Sequence, residues 1–223
     1  FFNEIKKSLE FINIKLKFYN CTLLWKPYEI LKNDKTPYKV FTPYYKRGCL
    51  SAPIPTKPEG KPSNINFIDS NKNTSINDLN LLDEYRWYDK FDNLWKISED
   101  DGLNIFNKFL SNKINDYKEE RDFPALEKNS KLSPYIRFGL ISVNRIWHEL
   151  NKLTSNKGID HYKSEIGWRE FSYYLLYHFP HMEENNLQTK FDKFNWENSD
   201  AKFDAWKKGE TGYPIVDAGM REL

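Results

Sequence analysis

IDHYKSEIGWREFSYYLLYH, residues 159–178, is the stretch on which the fold turns. It holds no proline until Pro180, which ends any helix that reaches it. Tyr162, Glu165, Trp168 or Arg169, and Ser172 recur at helical intervals, which predicts one long helix carrying them along a face. Ile166, Tyr173 and Tyr177 fall on another face. A carboxylate, an indole and a guanidinium on one stripe combine three recognition chemistries. The indole stacks on a flat ring, the carboxylate accepts from a base N–H, and the guanidinium grips a phosphate or pairs with the carboxylate. The same pattern also fits an ordinary helix with one ion pair and one core tryptophan.

Outward from this stretch the chain stays helical. Ser98 with Asp101 resembles a capping box, followed by an apolar stripe of Leu103, Phe106, Phe109 or Leu110, Ile114 and Tyr117. Residues 119–133 read as a loop. Ser133 is an expected N-cap with Pro134 in the first helical position. Ser142 is expected to cap a helix burying Val143, Ile146, Trp147, Leu150 and Leu153. Beyond Pro180, Gly209 ends a short helix carrying Phe203 and Trp206, and Pro214 opens the last one. Toward the start, Phe2, Ile5, Leu9 and Ile12 have helical spacing, while Ile14, Leu16 and Phe18 alternate as in a strand. That order predicts the tail of an α/β unit over residues 1–50. Pro53, Pro55, Pro58 and Pro62, followed by an Asn-, Ser- and Lys-rich run, predict an interdomain linker over 51–80. A helical domain then occupies 81–223.

The 223 residues carry 34 Lys and Arg against 32 Asp and Glu, a net charge of +2 that excludes a polybasic binder. With 39% hydrophobic and 17% aromatic residues, the chain can fill a core. No apolar run approaches the roughly 18 residues of a membrane span. Cys21 and Cys49 give no disulfide framework and suit a reducing compartment, so a cytoplasmic protein is expected. His148, His161, His178 and His181 lack zinc-type spacing, and no metal site is expected. The chain starts at Phe1 and stops inside a helical pattern at Leu223, so it reads as a piece cut at both ends. Of its 34 cations only seven are arginine, a hint that each arginine sits where a planar fork is needed.

Two further clusters carry chemistry. Ser130-Lys131-Leu132-Ser133-Pro134 is a hydroxyl- and amide-rich loop entering a helix start, which suits either an anion or plain capping. Tyr117 with Arg121 and Asp122 reads as a core ring beside a local ion pair.

These pieces together resemble the DNA photolyase and cryptochrome family. Tyr117 to Ala125 with Ser130 to Gly139 is similar to its flavin-phosphate segment. Glu165-Ile166-Gly167-Trp168-Arg169-Glu170-Phe171 is similar to its substrate-side helix. Thr211 to Arg221 resembles the stretch before its next flavin and DNA contacts, and Lys39 to Pro43 the exit from its N-terminal domain. The resemblance runs over nearly the whole chain except 51–80. It implies the end of an N-terminal α/β, Rossmann-like antenna domain, then an all-α FAD-binding domain, both incomplete. It implies light-driven splitting of cyclobutane pyrimidine dimers by deoxyribodipyrimidine photo-lyase, with the damaged bases flipped from the duplex. A cryptochrome photoreceptor or a (6-4) photolyase are the alternatives.

By the same resemblance Tyr117, Asn129, Ser130, Lys131, Leu132, Ser133, Tyr162 and Arg169 are expected around FAD, with Asn129 where the family usually has Thr. Glu165 is expected to bond the dimer and Trp168 to stack on it. Arg121, Arg169 and Ser172 join them on the DNA side, and Arg137 is a further candidate for the basic rim. Trp196 matches the outermost tryptophan of the chain that reduces the flavin. Glu183 and Glu184 stand where some members carry a basic residue for folate, so neither a folate nor a deazaflavin antenna is supported. UV-damaged DNA is the implied partner, bound by a monomer, and this piece alone is expected to hold half a flavin pocket.

Overall fold

The computed structural model describes residues 2–17, 19–60, 62–66, 75–81 and 86–223. The described residues are helical and contain no strand. Among the described residues, beside short α-helical turns at Phe41–Pro43 and Phe91–Leu94, there are eight α-helices: α1 (Phe2–Phe11), α2 (Glu99–Asn112), α3 (Tyr117–Glu120), α4 (Ser133–Arg137), α5 (Val143–Leu150), α6 (Lys157–His178), α7 (Asp200–Lys208) and α8 (Pro214–Glu222). The chain divides after His178 into two compact units.

The strand expected at Ile14, Leu16 and Phe18 is absent where it can be seen. α1 closes on Asn13 in the left-handed region (φ 57°), with the Ile14 amide returning to the Leu9 carbonyl at 2.9 Å. Residues 14–17 then run as irregular chain, and Phe18 lies outside the described residues. Alternation makes a strand only when a neighbour completes the ladder, and no other described segment offers one.

Caps behave as their residue types dictate. The Ser98 hydroxyl accepts from the Asp101 amide at 3.0 Å, that of Ser142 from Arg145 at 3.1 Å and that of Ser199 from Lys202 at 3.4 Å. α5 buries Val143, Ile146, Trp147 and Leu150, while Leu153 lies past its end and is exposed. His148 on α5 meets the Pro55 carbonyl at 2.8 Å, which pins the proline-rich segment to the first unit. In the second unit Gly209 ends α7 at φ 68°, and Asp217 on α8 accepts from Thr211 and Gly212.

α6 is the axis of the first unit, with Ile159, Tyr162, Ile166, Phe171 and Tyr174 buried. Tyr174 is fully enclosed. Its hydroxyl donates to the Ile30 carbonyl and accepts from the Tyr38 amide, both at 2.9 Å. Two glycines let α6 approach its neighbours. A Cβ on Gly158 would lie 2.0 Å from the Ile114 carbonyl oxygen, and one on Gly167 would lie 2.6 Å from the Tyr45 ring. Backbone cannot step aside as a ring can. Gly158→Ala is therefore expected to destabilise the fold by about 3 kcal/mol or more and Gly167→Ala by about 1–3 kcal/mol. Urea denaturation of the two variants checks the order.

Candidate functional site

α3, the loop into α4, and α6 enclose a cleft of about 360 Å³. Tyr117, Ser130, Leu132, Ser133, Tyr162, Glu165 and Arg169 line it, seven residues from three separate stretches of sequence. Its floor is apolar, with Leu132 and Ile166 buried. Tyr117 and Tyr162 stand edge to face with centroids 5.1 Å apart, and Phe109 closes behind Tyr162 at 4.6 Å. Burial raises the pKa of both phenols, so each stays protonated. Tyr162 can then donate to the Ser130 hydroxyl, 3.1 Å away. Ser130 also accepts the Leu132 amide at 3.4 Å, across a turn that Lys131 makes in the left-handed region (φ 54°).

Ser133 does not cap α4. Leu132 already has helical angles and occupies the cap position without a side-chain bond, so Ser133 lies in the first turn. The residue lines the cleft instead. Asn129 and Lys131 are exposed on the loop and do not line the cleft.

Glu165 is held by two neighbours. Arg121 Nη1 lies 2.6 Å from Glu165 Oε1, and the pair raises the pKa of Arg121. The same guanidinium reaches Asp122 at 3.3 Å and packs 5.6 Å from the Tyr117 ring centroid. His161 Nε2 lies 3.7 Å from Glu165 Oε1. Arg169 is fixed on three sides: Nη1 to Glu170 at 2.7 Å, Nη2 to the Thr22 carbonyl at 2.9 Å, and its plane 5.0 Å over Tyr173.

Trp168 leaves the stripe on which it was expected. At about 100° per residue it lies some 120° around α6 from Tyr162, whereas Arg169 lies within about 20°. It stacks instead on Phe41, with centroids 3.8 Å apart and planes 12° apart, and remains 46% exposed. The Ser172 hydroxyl donates back to the Trp168 carbonyl at 3.0 Å. Trp196 belongs to the second unit, where its exposed ring packs on Phe194 and its Nε1 donates to the Phe191 carbonyl. Sequence reasoning placed Tyr173 on another face and did not single out Ile136 for the cleft, which both line. Tyr173 follows Arg169 by one helical turn, a signal present in the spacing. Phe41 gave none, because its partner is more than a hundred residues away.

The cleft thus joins protonated phenols, hydroxyls and guanidiniums over an apolar floor. Residues 162–223 match the family model described as the FAD binding domain of DNA photolyase. A deoxyribodipyrimidine photo-lyase of Agrobacterium fabrum is 34% identical over 98% of this chain and 47% of its own length. Cryptochrome-2 of Arabidopsis thaliana is 30% identical over 99% of this chain and 39% of its own. The crystal structure of a bacterial class III photolyase from Agrobacterium tumefaciens superposes with a TM-score of 0.87 at 32% identity, over 99% of this chain and 46% of that one. The chain belongs to the DNA photolyase and cryptochrome family, and it spans less than half the length of each of these relatives.

Proposed function

We propose that this chain is part of a deoxyribodipyrimidine photo-lyase that binds FAD and repairs cyclobutane pyrimidine dimers in UV-damaged DNA under blue light. The observation that carries the proposal is the cleft, which gathers Tyr117, Ser130, Ser133, Tyr162, Glu165 and Arg169 from distant parts of the chain.

The residues present fit part of an FAD. Ser133 offers a hydroxyl, Ser130 a hydroxyl and a tight turn, and Arg137 and Arg169 supply positive charge for a diphosphate. Tyr162, Tyr117 and Ile166 give the apolar wall. At about 360 Å³ the cleft is at the low end of ligand sites, about 300–1,000 Å³, as a half-pocket would be. When bound, FAD would supply the light-driven electron. The chain's own residues bind and orient: Glu165 accepts from a flipped pyrimidine, Trp168 stacks on it over Phe41, and Arg121 and Arg169 hold their charges close by.

On this reading residues 1–50 end an α/β antenna-type domain, 51–80 link, and 81–223 begin the flavin domain. The exposed apolar residues Phe11, Ile12 and Ile14 support a covering partner for the first segment. Asn129, Lys131, Ser172 and Trp196 keep their proposed cofactor, DNA and electron-transfer roles by resemblance alone. A monomer in the cytoplasm is proposed as well. Among the described residues no helix is long and apolar enough to cross a membrane, and both cysteines are free. The 30% identity to cryptochrome-2 favours a photoreceptor as the second reading.

The test is to illuminate the full-length protein with UV-irradiated oligothymidine. Loss of dimers in blue light and not in the dark is expected; flavin binding without repair moves the assignment to a photoreceptor. Tyr162→Phe together with Ser130→Ala is expected to weaken FAD retention about fivefold to tenfold, read by flavin fluorescence on dilution. Retention unchanged from wild type would remove both residues from the cofactor site.

A further inference from the structure

His161 sits one helical turn before Glu165 on α6 and does not itself line the cleft. Its Nε2 lies 3.4 Å from Arg121 Nη1 and 3.7 Å from Glu165 Oε1, and its ring packs 6.0 Å from that of Tyr117. One imidazole nitrogen thus faces both members of the ion pair. Tyr117 and Arg121, from α3 and its C-terminal cap, and Glu165 on α6 are the titratable and charged groups facing it; Asp122 lies beyond Arg121. Nε2 is within hydrogen-bond reach of Arg121 and not of Glu165, which selects the neutral tautomer protonated at Nδ1, with Nε2 accepting from Arg121. With imidazolium, Nε2 can only donate, and the acceptor available is Glu165. The protonated ring also sets a second positive charge against Arg121.

We propose that His161 is a positioning residue for Glu165: neutral, it holds Arg121 against one carboxylate oxygen and leaves the other for substrate, and protonated, it takes that oxygen from Arg121. The inference rests on the assignment of Glu165 as the group that bonds the dimer. It makes discrimination between damaged and undamaged DNA depend on pH through the protonation of one imidazole. Affinity for undamaged DNA responds in the opposite sense, because an added positive charge favours phosphate.

The experiment measures binding of the full-length protein to an oligonucleotide with one thymine dimer and to its undamaged twin, at pH 5.5 and pH 8. The ratio of the two affinities is expected to fall about fivefold toward pH 5.5, the worth of one ordinary hydrogen bond. His161→Gln keeps an acceptor that does not titrate, so its ratio should be the same at both pH values. His161→Phe keeps a ring without an acceptor and should show a low ratio at pH 8. A His161→Gln protein that retains the wild-type pH dependence, or a Phe variant equal to the Gln variant at pH 8, overturns the inference. If wild type shows no preference for the dimer at any pH, the assignment of Glu165 fails instead.

Discussion

Replacing Glu165 by alanine is expected to lower the preference for dimer-containing over undamaged DNA by about 10- to 100-fold, and replacing Trp168 by alanine to lower it by a similar factor. The two magnitudes have different origins. Glu165 offers a charged acceptor, and hydrogen bonds to charged groups are worth about 1.5–3 kcal/mol. Trp168 offers a ring face, and a stacked base is worth about 1–3 kcal/mol. Their side chains leave α6 in different directions, one paired with Arg121 and the other stacked on Phe41. The losses should not simply add in the double variant, because both groups meet the same flipped pyrimidine and groups with a shared partner couple. Glu165→Gln separates charge from shape. It keeps an acceptor but weakens the hold on Arg121, so its loss should be smaller than that of alanine. Phe41→Ala should reproduce part of the Trp168 loss, because an indole without its backing ring is free to leave the stacking orientation. Equilibrium binding at several salt concentrations checks all five. A Trp168→Ala protein with wild-type discrimination would reduce Trp168 to part of an aromatic cluster.

Local signals in the chain gave the helices, and distance in sequence hid what joins them. Ser98, Ser142, Gly209 and Pro180 mark helix ends because a cap is settled within four residues. Only the long-helix side of the cleft was legible for a related reason: Tyr162, Glu165 and Arg169 follow the turn of one helix, whereas Tyr117, Ser130 and Ser133 came from the family resemblance. Ser133 misled because Ser-Pro fits a helix start in two registers, and Leu132 took the cap position. Trp168 misled because intervals of three drift around a helix by about 60° at each step. No periodicity reports Phe41 under Trp168, the Leu24 amide on Glu170, or Tyr174 bridging Ile30 and Tyr38. Each of these joins residues more than a hundred positions apart. The strand expected at residues 14–18 is the converse case: over residues 14–17 the alternating pattern has no partner among the described residues that would make it a strand.

Glu170, the residue after Arg169, should make the stability of the fold depend on pH. Its side chain is 1% exposed; Oε2 accepts the Leu24 amide and Oε1 the Arg169 guanidinium, both at 2.7 Å. Burial pushes its carboxyl up to about 7, and Arg169 with the amides of Leu24 and Trp25 offsets only part of that. The unfolded chain titrates near the ordinary value of 4.5. Below that, Glu170 is protonated in both states and its contribution is fully present. Between 4.5 and about 7 the unfolded state releases its proton first, so stability falls as pH rises. The difference amounts to about 3 kcal/mol by pH 8. Carboxylates held below their usual range, such as Glu149, act in the opposite direction but at lower pH. Urea midpoints at pH 5 and pH 8 should therefore fall for wild type and stay level for Glu170→Gln; a Gln variant with the wild-type slope would refute the assignment. Glu170→Leu should instead cost about 3–5 kcal/mol, because it strands the Leu24 amide and one face of Arg169. Since Glu170 helps hold Arg169 against the cleft, the Leu variant should also bind FAD more weakly, at a site its own side chain does not line.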